Sequence, residues 1–207
     1  RPQTRVIFGM RDIEDAPAAT IEQWDKSGVP GMLEECFDEI WVYGSQSVFD
    51  VVAEYRLSPS IQRKLRFMGY VVSKTCDHPA NGHDTGTVLV TVGGGSDGGF
   101  LLKAYLDEAA GRVAASGRRS TIVGGPDLPP AEGRLLRERA TAIKGVEWID
   151  FDSCMACRIR SAKVVVSMGG YNTLCQIARD RKPAVIVPRV YPRLEQDIRA
   201  QLWANRG

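Results

Sequence analysis

A chain of 207 residues, 43% hydrophobic and 25% charged, is long enough to bury a sizeable core in one domain or two. Its 27 Lys and Arg against 25 Asp and Glu leave a formal charge of +2, too balanced to argue for a nucleic-acid partner, and no apolar run approaches the roughly 20 residues of a membrane span. Five scattered Cys, an odd number, favour a reducing, cytoplasmic compartment. The chain opens on Arg1–Pro2–Gln3–Thr4 with neither an initiator Met nor a secretory leader, so a fragment or a processed chain is expected.

In chain order, Arg5–Val6–Ile7–Phe8–Gly9–Met10 reads as a strand, residues 16–27 as a helix, and Glu39–Ile40–Trp41–Val42–Tyr43 as a second strand closed by Gly44. Residues 46–55 read as a helix, with Val48, Val51, Val52 and Tyr55 at helical spacing, and the apolar stretch 67–72 closes this region. Residues 73–86, rich in His, Pro, Asn, Gly and Asp, read as a linker. From residue 87 onward, unbroken apolar strands alternate with helices. Strands are expected at 87–92, 120–123, 146–149, 162–167 and 183–188, and helices at 100–113, 131–140, 153–159, 171–180 and from 193 onward. Apolar runs without polar alternation are buried on both faces, and their alternation with helices predicts βαβ units and a parallel, doubly wound sheet. The expected organisation is the C-terminal part of one Rossmann-like domain over residues 1–72, a linker at 73–86, and a second Rossmann-like domain over 87–207.

Chemistry concentrates at the strand-to-helix turns. Gly93–Gly94–Gly95–Ser96–Asp97–Gly98–Gly99 lies between a strand and a helix and matches G-x-G-x-x-G through Gly93, Gly95 and Gly98. Glycines let backbone N–H groups approach an anion, and the helix start adds positive partial charge. The bland alternative is a tight turn. Ser167–Met168–Gly169–Gly170–Tyr171–Asn172–Thr173 repeats the arrangement, and both turns fall on the C-terminal strand edge, where open α/β sheets bind ligands. Thr173 and Gln176 share a helix face, while Leu174, Ile177 and Ala178 are expected to point inward. A hydroxyl in the first turn can meet a phosphate, and an amide one turn later can meet a ribose hydroxyl. Otherwise Thr173 caps its own helix and Gln176 is solvated. Glu195 and Gln196, after the last strand, suit sugar hydroxyls or else an acidic first helical turn. The lone Cys154-x-x-Cys157 reads as packing, with redox or metal chemistry as the alternative. Cys76, Asp77, His78, His83 and Asp84 read as linker rather than metal ligands. The short basic pieces Arg63–Lys64–Leu65–Arg66 and Gly117–Arg118–Arg119 read as solvated surface, with peripheral membrane contact as the alternative.

Residues 162–200, and the two glycine turns with them, resemble the C-terminal half of GT-B glycosyltransferases of family 28, typified by the MurG-type N-acetylglucosaminyltransferases. A less characterised bacterial branch of glycosyltransferases is similar too, through Phe8–Gly9–Met10–Arg11–Asp12–Ile13 and Val42–Tyr43–Gly44. The resemblance implies a GT-B-like α/β fold and a donor site. Gly93, Gly94, Gly95, Ser96 and Gly98 would face the diphosphate, and the backbone around Phe151 would frame the base. Gly169, Gly170, Asn172 and Thr173 would hold phosphate, Gln176 would meet the ribose, and Glu195 and Gln196 the donor sugar. Family members usually carry Glu where this chain has Gln176, and no catalytic base is assigned.

The expected reaction is metal- and cofactor-independent transfer of a sugar from a nucleotide diphosphate, with UDP the expected nucleotide, to the hydroxyl of an unidentified acceptor. Asp150–Phe151–Asp152 has the spelling of a metal motif but falls at the base-framing turn. The alternatives are a nucleotide-sugar epimerase or hydrolase, a nicotinamide-dependent oxidoreductase, for which Asp127 stands late after its strand, and a non-catalytic sugar-nucleotide-binding protein.

Overall fold

The computed structural model describes residues 4–72 and 86–206. Packing divides the chain into two compact units, Arg1–Val71 with Arg189–Gly207 and Val72–Pro188. The expected linker lies almost wholly outside the described residues, and with it Cys76, Asp77, His78, His83 and Asp84.

The first unit begins with β1 (Ile7–Arg11), α1 (Pro17–Ser27), α2 (Val29–Glu35), β2 (Glu39–Tyr43), α3 (Val51–Glu54), α4 (Pro59–Lys64) and β3 (Leu65–Phe67). The three strands form a parallel sheet in the order β1-β2-β3. Pro17 opens α1, and Gly28, in the left-handed region at φ 69°, ends it and starts α2 at once, a helix the sequence reading left out. The helix expected over 46–55 shortens to α3, because the Asp50 carboxylate accepts from the N–H groups of Val52 and Ala53 and sets the start there. Ser58 likewise caps α4, with Pro59 in its first turn. Ile40, Val42, Val51 and Ile61 are almost wholly buried, and Trp24 and Phe49 pack on Tyr55 with ring centroids 5.3 and 5.5 Å away.

The second unit follows as β4 (Val88–Thr91), α5 (Gly99–Glu108), α6 (Ala110–Ala115), β5 (Ser120–Val123), α7 (Pro130–Thr141), β6 (Val146–Ile149), α8 (Met155–Ser161), β7 (Val164–Ser167), α9 (Tyr171–Arg179) and β8 (Ala184–Ile186). All five strands are parallel, in the order β6-β5-β4-β7-β8. The expected doubly wound α/β architecture is therefore present. The single helix expected over 100–113 is broken at Ala109 into α5 and α6. β4 and β5 are buried at every position, as interior strands should be. β8 departs from the expected buried strand: it is the sheet edge, and Val185 is 52% exposed.

The chain ends on α10 (Glu195–Ala204), which belongs to the first unit. Ile198 and Leu202 pack on the first unit's core, and Arg199 is buried against Asp12 at the end of β1. Residues 189–207 thus pack with the first unit, whereas the sequence reading carried the second domain to residue 207.

Candidate functional site

Strand order determines what meets at the ligand edge of the second unit. β4 and β7 are neighbours, with Thr91 opposite Ser167, so the two glycine turns leave adjacent strands about 5 Å apart. The order of strands reverses between these two, which is where a doubly wound sheet opens a crevice. Gly93, Gly94 and Ser96 are exposed there, as is Asn172, while Gly95, Gly98 and Gly169 are buried and Gly170 and Thr173 half-buried.

Among the described residues no side chain caps α5 or α9. The alternative in which Thr173 caps its own helix is therefore not realised. An uncapped helix start offers N–H donors and the positive end of the helix dipole to an anion. Gln176, one turn on, is 8% exposed rather than solvated, and its Oε1 is buried without a hydrogen-bond partner among the described residues. Ala178, expected inside, is exposed. A buried acceptor left unpaired costs about 1–3 kcal/mol, so a ligand hydroxyl reaching this amide would recover part of that penalty.

The first glycine turn packs closely on the segment after β5. A Cβ on Gly95, at φ 100°, would fall 2.4 Å from the Gly124 carbonyl oxygen, and one on Gly98 would fall 2.3 Å from Val92 Cβ. Asp127 donates its N–H to the Gly94 carbonyl at 2.7 Å, and its carboxylate lies against the Gly94 Cα. Sequence reasoning set Asp127 aside as too late after its strand. The Gly124–Gly125–Pro126 turn brings it back over the glycine turn.

Beyond β5, a cavity of about 270 Å³ opens between the ends of β5 and β6 and the first turns of α7. Gly124, Gly125, Arg134, Arg137, Trp148 and Phe151 are among the residues that line it. Phe151 is 59% exposed. Asp150 accepts from the Trp148 indole N–H at 2.8 Å and pairs with Arg137, and these two donors hold its carboxyl below the usual carboxylate range. Of the lining residues, Phe151 is the one expected to frame a base, whereas Trp148, Arg134 and Arg137 carry no signal of their own in the sequence. Trp148 stands within the strand pattern of 146–149, and the two arginines lie on a helix rich in charge.

Glu195 and Gln196 lie at the start of α10 in the first unit. Glu195 Oε1 accepts from Arg189 Nη2 at 2.6 Å, and Gln196 Oε1 from the Arg189 N–H at 3.3 Å. Glu195 Oε2 is buried and unpartnered among the described residues. The Leu194 N–H donates to Asp15 at 2.7 Å, which docks this turn on the β1–α1 loop. Glu14, in that loop, has its carboxyl pushed up by burial, against the opposing pull of Arg193 and Arg11.

Residues 87–207, more than half of the chain, match the model of the glycosyltransferase family 28 C-terminal domain. The chain is similar to UDP-N-acetylglucosamine–N-acetylmuramyl-(pentapeptide) pyrophosphoryl-undecaprenol N-acetylglucosamine transferases. That of Phenylobacterium zucineum is 32% identical over 103 residues, 50% of this chain and 28% of that protein. That of Opitutus terrae is 28% identical over 126 residues, 61% of this chain and 33% of that protein. The chain thus spans about a third of the length of these relatives. Among solved structures, the calicheamicin glycosyltransferase CalG4 superposes with a TM-score of 0.56 at 14% identity, over 91% of this chain and 44% of that one. The glycosyltransferase SnogD from Streptomyces nogalater superposes with a TM-score of 0.55 at 19% identity, over 92% and 47%. At such identities the superpositions bear on the fold, which is the GT-B α/β type.

Proposed function

Because the chain belongs to glycosyltransferase family 28, through the C-terminal domain of that family, we propose that the glycine-turn edge of its second unit binds a nucleotide-diphosphate sugar, UDP-linked, for transfer to an acceptor hydroxyl. The observation that carries this reading is the start of α9, which no described side chain caps, on the strand next to the Gly93–Gly98 turn and beside a cavity edged by Trp148 and Phe151. Phosphate sits at the start of α9, on Gly169, Gly170, Asn172 and Thr173, and the Gly93–Gly98 turn flanks it with Gly94 and Ser96. The base enters the cavity edged by Phe151, Trp148 and Gly124. Gln176 accepts from the ribose.

In such a transfer negative charge builds on the departing diphosphate. Fixed backbone donors and helix dipoles stabilise that charge without reorganising. The two carboxylates of Asp150–Phe151–Asp152 are engaged by Trp148, Arg137, Arg158 and the Cys154 N–H, which supports a reading without a bound metal. Among the described residues no helix is long and apolar enough to cross a membrane.

The test is calorimetric titration of the chain, with EDTA present, against UDP, GDP, dTDP and NAD⁺, repeated with Thr173→Ala. Selective binding of UDP, weakened about tenfold by the substitution, is expected. A strict Mg²⁺ or Mn²⁺ requirement for binding would refute the metal-free reading, and NAD⁺ binding alone would refute the sugar-nucleotide reading.

A further inference from the structure

Two cysteines that the proposed donor site does not use are brought together under its base-side loop. The Sγ atoms of Cys154 and Cys157 are 2.9 Å apart. Cys157 is 1% exposed and Cys154 half-buried, so Cys154 is the more accessible of the two residues. Arg160 Nη2 stands 3.8 Å from Cys157 Sγ, which places positive charge beside a sulfur that must turn negative during thiol–disulfide exchange. Asp152 brackets the pair: it accepts from the Cys154 N–H at 2.7 Å and binds Arg158 Nε just past Cys157. The loop held this way, residues 150–154, also carries Phe151 at the edge of the cavity.

The geometry points to a covalent modification site: Cys154 and Cys157 form a reversible dithiol–disulfide pair, oxidised by small-molecule disulfides of the glutathione type, whose state sets the affinity of the adjoining nucleotide site. The thiolate of Cys154 attacks one sulfur of the oxidant, giving a mixed disulfide and releasing one small thiol. The thiolate of Cys157 then attacks Cys154 Sγ and expels the second small thiol as the Cys154–Cys157 bond forms. The two cysteines lose two electrons and two protons, and the oxidant is reduced to two thiols. Because the sulfurs already touch, ring closure needs little backbone movement. It removes freedom from the loop that a bound base must otherwise order, so the oxidised chain binds nucleotide more tightly. A cysteine pair of this kind in a reducing compartment is characteristically redox-sensing rather than structural.

The effect on affinity rests on the nucleotide reading of the cavity, whereas formation of the disulfide does not, and the experiment reads the two separately. The intact chain is equilibrated in glutathione buffers from fully reduced to fully oxidised, alkylated and digested with trypsin. Cleavage after Lys144 and Arg158 leaves both cysteines in one peptide. Its mass distinguishes the dialkylated dithiol from the internal disulfide. UDP affinity is then measured by calorimetry on each form of the wild type, Cys154→Ser and Cys157→Ser. The expected result is full conversion of the peptide to the internal disulfide. UDP binding should be at least about threefold tighter in the oxidised wild type and unresponsive to the buffer in either variant. A peptide that stays a dithiol, or ends as a mixed disulfide with glutathione, overturns the site. An internal disulfide with unchanged UDP affinity overturns the coupling. If neither form binds any nucleotide, the nucleotide reading and the coupling both fall, and the peptide mass alone judges the modification site.

Discussion

Replacing Arg199 by Met should destabilise the first unit more than any surface change could. The Arg199 and Asp12 side chains are each 2% exposed. Nε lies 3.2 and 3.1 Å from the two carboxylate oxygens, and Nη2 lies 2.8 Å from Oδ1. Removing the guanidinium leaves the Asp12 carboxylate buried, with the Ile13 N–H at 2.9 Å among its few remaining donors. Breaking one side of such a pair costs about 3–5 kcal/mol. With a urea dependence of about 1 kcal/mol per molar for a unit this small, the midpoint should fall by about 3 M or folding of the unit should be lost. Trp24, Trp41 and Trp203 belong to this unit and Trp148 to the other, so intrinsic fluorescence follows mainly the affected transition. The double variant Asp12→Leu/Arg199→Met removes both charges and should regain most of the loss, because two apolar groups can replace a buried pair at little cost. A single variant within about 1 kcal/mol of wild type, or a double variant no better than the single, would refute the reasoning. The pair also fixes the start of α10, so Arg199→Met should loosen the Glu195–Arg189 contact.

Three further outcomes follow from the geometry. Burial pushes the Tyr55 hydroxyl from its ordinary 10 up to about 12. The folded chain therefore keeps this proton to higher pH than the unfolded chain, and stability that is whole below pH 10 declines by about 2–3 kcal/mol as pH approaches 12. Urea midpoints against pH should show that decline in wild type and a shallower one in Tyr55→Phe, and identical slopes would count against it. Gly95→Ala should cost about 3 kcal/mol or more, since its Cβ meets the Gly124 carbonyl at 2.4 Å, whereas Gly117→Ala, at φ 75° with nothing within 4 Å, should cost only about 1–2 kcal/mol. Trp148 fluorescence through a denaturation series compares the two, and equal costs would remove the steric argument. If Gln176 meets the ribose as proposed, Gln176→Glu supplies a charged acceptor for its hydroxyls and should strengthen UDP binding by roughly three- to tenfold. The gain should be lost on 2′-deoxy-UDP, and a gain of the same size on both nucleotides would take Gln176 away from the ribose.

The sheet of the second unit was legible because interior strands such as β4 and β5 are apolar at nearly every position, a pattern that few other structures produce. β8 misled because an edge strand can be written in the same Pro-Ala-Val-Ile alphabet, and only its partners reveal which face meets water. The short helices α2, α3 and α4 depend on single caps, Gly28, Asp50 and Ser58, whose effect is local and leaves little periodicity to read. The attachment of α10 to the first unit rests on Asp12 and Arg199, which are 187 residues apart in sequence. An arginine in an amphipathic helix reads as solvated until its partner is seen. The cavity residues Arg134, Arg137 and Trp148 escaped for the same reason: each is ordinary within its own element, and β5–β6 pairing creates the space between them.

The glycine turn shows why motif spelling alone is weak evidence for a ligand. Internal contacts already explain two of the three motif glycines: Gly95 by the Gly124 carbonyl and its positive φ, Gly98 by Val92. Any chain that packs this turn so closely on its neighbours would need glycine at both places, with or without a nucleotide. Asp127 against Gly94 adds a carboxylate, which repels phosphate and attracts hydroxyls. The argument for an anion is therefore stronger at the second turn, where no described side chain caps α9, the Thr173 hydroxyl included. It follows that substitutions at Gly95 or Gly98 chiefly report stability, whereas Thr173→Ala and Gln176→Glu, which leave the turn's packing intact, chiefly report binding.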